Sequence, residues 1–201
     1  MKKFLLALLV MLVFVTGCSS NNQSNNDESS GNTNESQDAT NDQTTTEDSN
    51  ILIAYFSKTG NTEAIAQEIQ SLTNGTLVEI ETVEPYPDSY SETVDIAESE
   101  KEANARPEIS TTVDNMDQYD TIFIGYPIWW HDAPMAVYTF LENYDLEGKT
   151  VIPFCASGGS DIEESIPGIE AAVSGATILE GLTANDSSDV QPWLEEIGIL
   201  K

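Results

Sequence analysis

The sequence predicts an α/β domain with a doubly wound, five-stranded parallel sheet over residues 51–201. Its apolar runs lack the polar alternation of a half-solvated strand, which favours strands covered on both faces. Segments with helical spacing of apolar residues lie between these runs, as the crossovers between parallel strands require. The length of this region suits one folded unit with a substantial core.

The elements can be assigned in chain order from these patterns. The first strand is predicted from Ile51 to Phe56, and the first helix runs from Glu63 to Leu72 with Ile65 and Ile69 on its apolar face. Further strands are predicted near Leu77–Thr82, Thr121–Gly125, Thr150–Cys155 and Ala176–Leu179, and further helices over Pro134–Asn143, Ile162–Val173 and Val190–Ile197. No helix is predicted in segment 82–120, which is long enough to fold over a ligand.

A short polar turn, residues 57–62, joins the first strand to the first helix. The free N–H groups of a helix start attract anions, and the hydroxyls of Ser57, Thr59 and Thr62 add donors around them. Gly60 allows the backbone to approach a ligand closely. Neither the Gly-x-x-x-x-Gly-Lys-Ser/Thr nucleotide loop nor the Gly-x-Gly-x-x-Gly dinucleotide fingerprint follows the strand, so a monophosphate group fits this short loop better. The alternative is an ordinary turn before a capped helix.

Three segments together resemble the flavodoxin family. They are Ser57-Lys-Thr-Gly-Asn-Thr62, the run from Ile122 to Pro134 that contains Trp129-Trp130-His131, and Val151-Ile-Pro-Phe-Cys-Ala-Ser-Gly-Gly-Ser160. The resemblance extends from Ile51 to the C-terminus. It implies the strand order 2-1-3-4-5, which would bring the three segments to one edge of the sheet.

The resemblance also implies FMN as the cofactor, with no metal and no assigned catalytic side chain. The residues expected to bind FMN are Ser57, Lys58, Thr59, Gly60, Asn61 and Thr62 around the phosphate, with Pro127, Ile128, Trp129, Trp130, Ala156, Ser157, Gly158 and Gly159 around the flavin ring. We expect only one indole to stack on the flavin, because adjacent side chains on an extended loop diverge. The segment from Ala156 to Gly159 is expected to offer backbone donors to the ring, or else to be a flexible link.

Two further residues near these segments each have two interpretations. His131, the sole histidine, is either a proton relay or a solvent-exposed loop residue. Arg106 lies in the long segment and is either a residue over the cofactor or a member of a surface ion pair.

The first 50 residues have a different composition from the rest. A basic start, an apolar run from Phe4 to Val15 and small residues before Cys18 resemble a bacterial lipoprotein signal, with a signal peptide over residues 1–17 and lipid on Cys18. Residues 18–50 are acidic and rich in Ser, Asn and Thr, so they predict a disordered tether. Lipidation of Cys18 would leave Cys155 without a disulfide partner, so this thiol is expected to pack as a small apolar side chain.

The chain is strongly acidic, with 7 basic and 35 acidic residues and a formal charge of −28. Such a charge excludes nucleic acid as a partner and favours a redox partner with a basic docking surface, or else serves solubility. The sequence therefore predicts an extracytoplasmic, membrane-tethered, flavodoxin-like electron carrier. The alternatives are an FMN-dependent reductase of quinones or other small acceptors, and a binding domain that has lost the flavin.

Overall fold

The computed structural model describes residues 50–201. The predicted signal peptide, Cys18 and all of the predicted tether except Asn50 lie outside the described residues. Within them, no helix is long and apolar enough to cross a membrane.

The described chain forms a parallel sheet with helices on both faces. The strands are β1 (Ile51–Tyr55), β2 (Thr76–Glu79), β3 (Thr121–Pro127), β4 (Thr150–Ala156), β5 (Thr177–Ile178) and β6 (Leu182–Thr183). The helices are α1 (Asn61–Thr73), α2 (Tyr90–Glu102), α3 (Met135–Glu142), α4 (Ile166–Ala172) and α5 (Val190–Glu196). The strand order is β2-β1-β3-β4-β5, with every pairing parallel, and β6 also pairs with β4. The predicted fold class and strand order are therefore confirmed.

The apolar strands divide their side chains between two buried layers. Leu52 and Ala54 of β1 pack with residues of α3 and α4 on one face of the sheet. Ile53 and Tyr55 point to the other face, where they pack with α1 and α5. This two-sided burial explains why the strands read as continuous apolar runs.

The fifth strand position is interrupted. The carbonyls of Val151 and Cys155 accept hydrogen bonds from Leu179 N–H at 3.1 Å and Ala184 N–H at 2.9 Å. Pro153 lies midway between them and faces the same edge, but proline has no N–H to donate. The prediction of one strand over residues 176–179 is therefore incomplete, because two short strands, β5 and β6, share that position on either side of the break.

Helix α2 was not predicted, and the predicted helix over residues 162–173 begins with a separate short turn. A 3₁₀ turn at Ile162–Glu164 precedes α4. Helix α2 has an acidic sequence whose apolar residues do not form a strong stripe. The sequence feature that could have identified α2 is a capping pattern, a serine at position 89 followed three residues later by Glu92. In the structure, Ser89 Oγ accepts the N–H of Glu92 at 3.5 Å.

Cys155 behaves as predicted from its strand position. It is a free cysteine that is fully buried in the core. Burial raises the pKa of its thiol to about 11, although a contact with the Thr183 hydroxyl at 3.7 Å opposes the shift. The thiol is therefore un-ionised and inaccessible at neutral pH.

We expect Gly125→Ala to destabilise the domain by about 1–3 kcal/mol or more. A Cβ at this position would lie 2.1 Å from the ring of Phe154, which is fully buried and has no room to turn away. Urea denaturation measures the change, and Gly158→Ala is the matched control because a Cβ there meets nothing within 4 Å. Equal stability of the two variants would contradict this account of β3 packing.

Candidate cofactor site

One cleft lies at the carboxyl ends of β1, β3 and β4. It has a volume of about 770 Å³, within the range of small-molecule sites. The structure brings all three predicted loops to it. The predicted residues that line the cleft are Lys58, Thr59, Asn61, Thr62, Pro127, Ile128, Trp129, Trp130, Ala156, Ser157 and Gly158. Ser57, Gly60 and Gly159 do not line it and instead shape the loops behind it.

The loop after β1 is shaped by a glycine and a serine. Gly60 has φ +85°, a left-handed conformation that favours glycine, and stands directly before α1. The hydroxyl of Ser57 accepts the N–H groups of Gly60 at 3.1 Å and Glu63 at 3.3 Å. Ser57 thus caps the helix start, and its own O–H stays available as a donor.

The start of α1 presents unused donors to the cleft. The N–H groups of Asn61 and Thr62 have no acceptor among residues 50–201. The Thr62 hydroxyl also lacks a hydrogen bond within this range, although the residue is only 1% exposed. Such donors at the positive end of a helix fit an anionic group such as a phosphate.

Lys58 connects this loop to the segment after β2. Its ammonium donates to the carbonyl of Tyr86 at 2.9 Å and lies 3.7 Å from the carboxylate of Asp88. The cation therefore lines the cleft but is already held by protein oxygens. It fixes the loop position and adds positive charge near the start of α1.

Trp129 belongs to an aromatic cluster beneath the cleft. Its ring makes edge contacts with Phe56 at 5.4 Å and Tyr86 at 5.1 Å between centroids, and these two rings meet at 5.7 Å. Burial raises the pKa of Tyr86, whose O–H donates to Glu100 at 2.6 Å. Burial also raises the pKa of Glu100. These contacts hold the indole of Trp129 in one orientation at the cleft wall.

Trp130 lies in a tight two-residue turn with His131. The flanking residues, Trp129 and Asp132, exchange backbone hydrogen bonds of 2.8 and 3.0 Å. Trp130 has φ +51° and His131 has φ +64°, as in type I′ turns, where such bulky residues are uncommon. Trp130 is 41% exposed, and the N–H of its ring donates to the carbonyl of Val94 on α2 at 3.2 Å. The two indoles thus diverge, although both line the cleft.

His131 links this turn to the loop after β4. Its Nδ1 lies 2.5 Å from the carboxylate of Glu164 and 3.4 Å from the hydroxyl of Ser160. Its side chain is 73% exposed at the edge of the cleft. These contacts hold the turn against the segment that follows β4. A role of His131 in proton transfer stays a prediction.

The loop after β4 uses most of its own donors. The N–H of Ser157 donates to the Asn185 side chain at 3.0 Å, and that side chain donates back to the Ser157 carbonyl at 2.5 Å. The Gly159 and Ser160 N–H groups donate to the Ser157 hydroxyl. Among the predicted donors, the Gly158 N–H has no acceptor within the described chain, and this residue lines the cleft. These hydrogen bonds hold the loop in one conformation, which does not agree with the alternative of a flexible link.

Sequence reasoning missed two parts of the cleft. Asn185 comes from the connection between β6 and α5, and no local pattern marks it. Helix α2 forms a further wall of the cleft and contacts the loop after β3. Its contributions, with that of the segment before it, are Asp88, Tyr90, Thr93, Val94 and Ala97. Segment 82–120 was expected to fold over the ligand. In the structure, this segment contributes a helix that lines the cleft.

Arg106 lies outside the cleft. Its guanidinium donates two bonds of 2.7 Å to the carboxylate of Glu142 and lies 5.3 Å from the centre of the Tyr138 ring. Bonding to Arg106 lowers the pKa of Glu142. The surface ion-pair interpretation therefore agrees with the structure.

Known proteins share both this sequence pattern and this fold. A protein from Bacteroides eggerthii assigned as a flavoprotein is 36% identical, with a TM-score of 0.67, over 75% of this chain and 98% of that one. A flavoprotein from Lactobacillus acidophilus, solved in complex with FMN, is 28% identical, with a TM-score of 0.60, over 71% of this chain and 97% of that one. The family model described as Flavodoxin matches residues 50–197. The chain therefore belongs to the flavodoxin family.

Proposed function

We propose that this protein binds FMN in the cleft and carries electrons for a partner protein. The observation that carries the proposal is the pair of features that line this one cleft: unused N–H donors at the start of α1, and two indoles in the loop after β3. A flavin monophosphate has the matching shape, with an anion at one end and a planar ring at the other. The FMN complex of the similar Lactobacillus acidophilus flavoprotein supports the choice of cofactor.

The residues at each end have separate tasks. The N–H groups of Asn61 and Thr62, with the hydroxyls of Thr59 and Thr62, would hold the phosphate. Trp129 and Trp130 would cover the ring and exclude water from it, while the Gly158 N–H would donate to its polar edge. FMN supplies the chemistry, because it accepts and releases electrons singly or in pairs.

The net charge of the protein affects both the reduction potential of a bound flavin and the kind of redox partner that can dock. The acidic excess of the whole chain, at −28, raises the free energy of adding negative charge in the cleft and so lowers the reduction potential. The same field attracts a redox partner with a basic docking surface and repels nucleic acid.

A reductase of quinones or other small acceptors is the second candidate. The size of the cleft favours it, together with Tyr90, which is 84% exposed where it lines the cleft. An acceptor that enters beside α2 would meet the flavin ring directly. The two candidates differ in whether electrons leave singly or in pairs.

The proposal also includes the location of the protein. Residues 1–17 would direct export, Cys18 would receive lipid, and residues 18–50 would tether the domain outside the cytoplasm. A tether of this length has a relaxed span on the order of 30 Å, which lets the domain reach partners at the membrane surface.

Thr59→Ala combined with Thr62→Ala is expected to weaken FMN binding about 10- to 100-fold, because two hydrogen bonds to a charged phosphate are lost. Riboflavin, which has no phosphate, should change less than about two-fold. Fluorescence titration measures both affinities. Thr73→Ala, at the other end of α1, is the control. Equal losses of FMN and riboflavin would show that the donors do not bind the phosphate.

Stepwise reduction of the FMN-loaded protein by dithionite distinguishes the two candidates. An electron carrier should take up electrons in two separate one-electron steps, visible in the absorption spectrum. Reduction in a single two-electron step would favour the reductase, and the next measurement would be turnover of quinones. Failure to bind FMN at all would leave a binding role without redox chemistry.

Cys18→Ala is expected to move the protein from the membrane fraction to the soluble fraction of a bacterial host, because acyl chains contribute about 0.8 kcal/mol per buried CH₂. Cell fractionation and immunoblotting measure the distribution. Cys155→Ala, which removes the buried thiol, is the matched control and should stay with the membrane. A Cys18→Ala protein that remains in the membrane fraction would contradict the lipid anchor.

A further inference from the structure

Lys101 holds the Trp130–His131 turn from a distant part of the chain. Lys101 lies in the last turn of α2, and its ammonium donates to the carbonyl of Trp130. It does not line the cleft. Its direct contact with a residue of the cleft lining is therefore the one with Trp130.

A carboxylate orients this lysine. One oxygen of Asp132 lies 3.6 Å from the Lys101 ammonium. The other accepts the O–H of Tyr138 at 2.5 Å and the N–H of Ala133 at 2.8 Å. Because Asp132 is fixed by α3 and by its own backbone, it gives Lys101 a defined position at the turn.

The turn needs external support. Trp130 and His131 both have positive φ, a conformation that is unfavourable for residues with a Cβ. Type I′ turns usually contain Asn and Gly, whose local chemistry tolerates this conformation. Here α2 supplies two contacts instead, from Lys101 to the Trp130 carbonyl and from the Trp130 ring to the Val94 carbonyl.

We propose that Lys101 is a positioning residue for the flavin-ring end of the cleft. It keeps the Trp130–His131 turn in its left-handed conformation and so places the Trp130 ring and peptide against the bound cofactor. The inference rests on the proposed binding of FMN. It predicts that the loss of Lys101 affects contacts with the ring and leaves contacts with the phosphate unchanged.

The first test needs no cofactor. In the full-length protein, Lys101→Met should accelerate hydrogen exchange of the Asp132 N–H, which donates to Trp129 across the turn, by about 10-fold. Lys101→Arg should restore slow exchange, because it keeps both charge and donor. The matched control is Lys149→Met: the Lys149 ammonium also donates to a carbonyl, that of Tyr119 at 2.6 Å, but at the opposite end of the sheet. Unchanged exchange in Lys101→Met would overturn the inference.

The second test uses FMN and riboflavin as probes. Lys101→Met should weaken both by the same factor, about five- to ten-fold, and shift the midpoint potential of the bound flavin. Lys149→Met should change neither. Asp132→Asn keeps the acceptor for Tyr138 but removes the ion pair with Lys101. This variant should show a smaller loss of affinity for both flavins.

The outcomes separate this inference from the proposed function. A loss of FMN but not riboflavin, or equal effects of the Lys101 and Lys149 variants, would overturn the role of Lys101 while FMN binding stands. If the unmodified protein binds neither flavin, the proposed function fails. The exchange measurement then decides alone whether Lys101 holds the turn.

Discussion

The alignment of β3 between β1 and β4 is the constraint on which the cleft depends. Because Gly125 has no side chain, β3 can lie against the ring of Phe154 on β4. On the other side of β3, Gly125 pairs with Tyr55 of β1. Neighbouring strands in a sheet are about 4.8 Å apart, so loops that leave three adjacent strands at the same edge start within about 10 Å of each other. The donors of one loop and the indoles of another are thereby presented to a single ligand.

Helix α2 completes the site, and two of the few cations in the domain hold its segment in place. Lys58 binds the residues just before the helix, and Lys101 binds the turn beside its end. Each lysine reaches a backbone carbonyl and a carboxylate, so neither contact relies on a single partner. In such an acidic chain, the scarce positive charges serve the architecture of the cleft as well as its electrostatics.

The sequence predicted those features that depend on local order. The run from Ile51 to Phe56 is apolar because both faces of β1 are buried, and the turn at residues 57–62 is polar because a helix begins there. Gly60 was predicted only to let the backbone approach a ligand, and its left-handed conformation before α1 is a finding of the structure. These features need only the periodicity and turn chemistry of a few neighbouring residues.

The features that escaped prediction depend on contacts between distant residues. Asn185 braces Ser157 from 28 residues away, and Lys101 meets Trp130 across 29 residues. Helix α2 has a capping pattern at Ser89, but its acidic sequence does not reveal that it packs beside the cleft. The positive φ of Trp130 is equally unexpected, because it opposes the preference of the residue and the contacts beside it come from α2.

The break at Pro153 also leaves this border of the sheet without a long strand. A long, flat strand at the border of a sheet offers a row of unpaired N–H and C=O groups to which another chain can add, and this is a common start of aggregation. Here that border consists of two strands of only two residues each, β5 and β6. The proline that interrupts this border thus removes a template for strand addition.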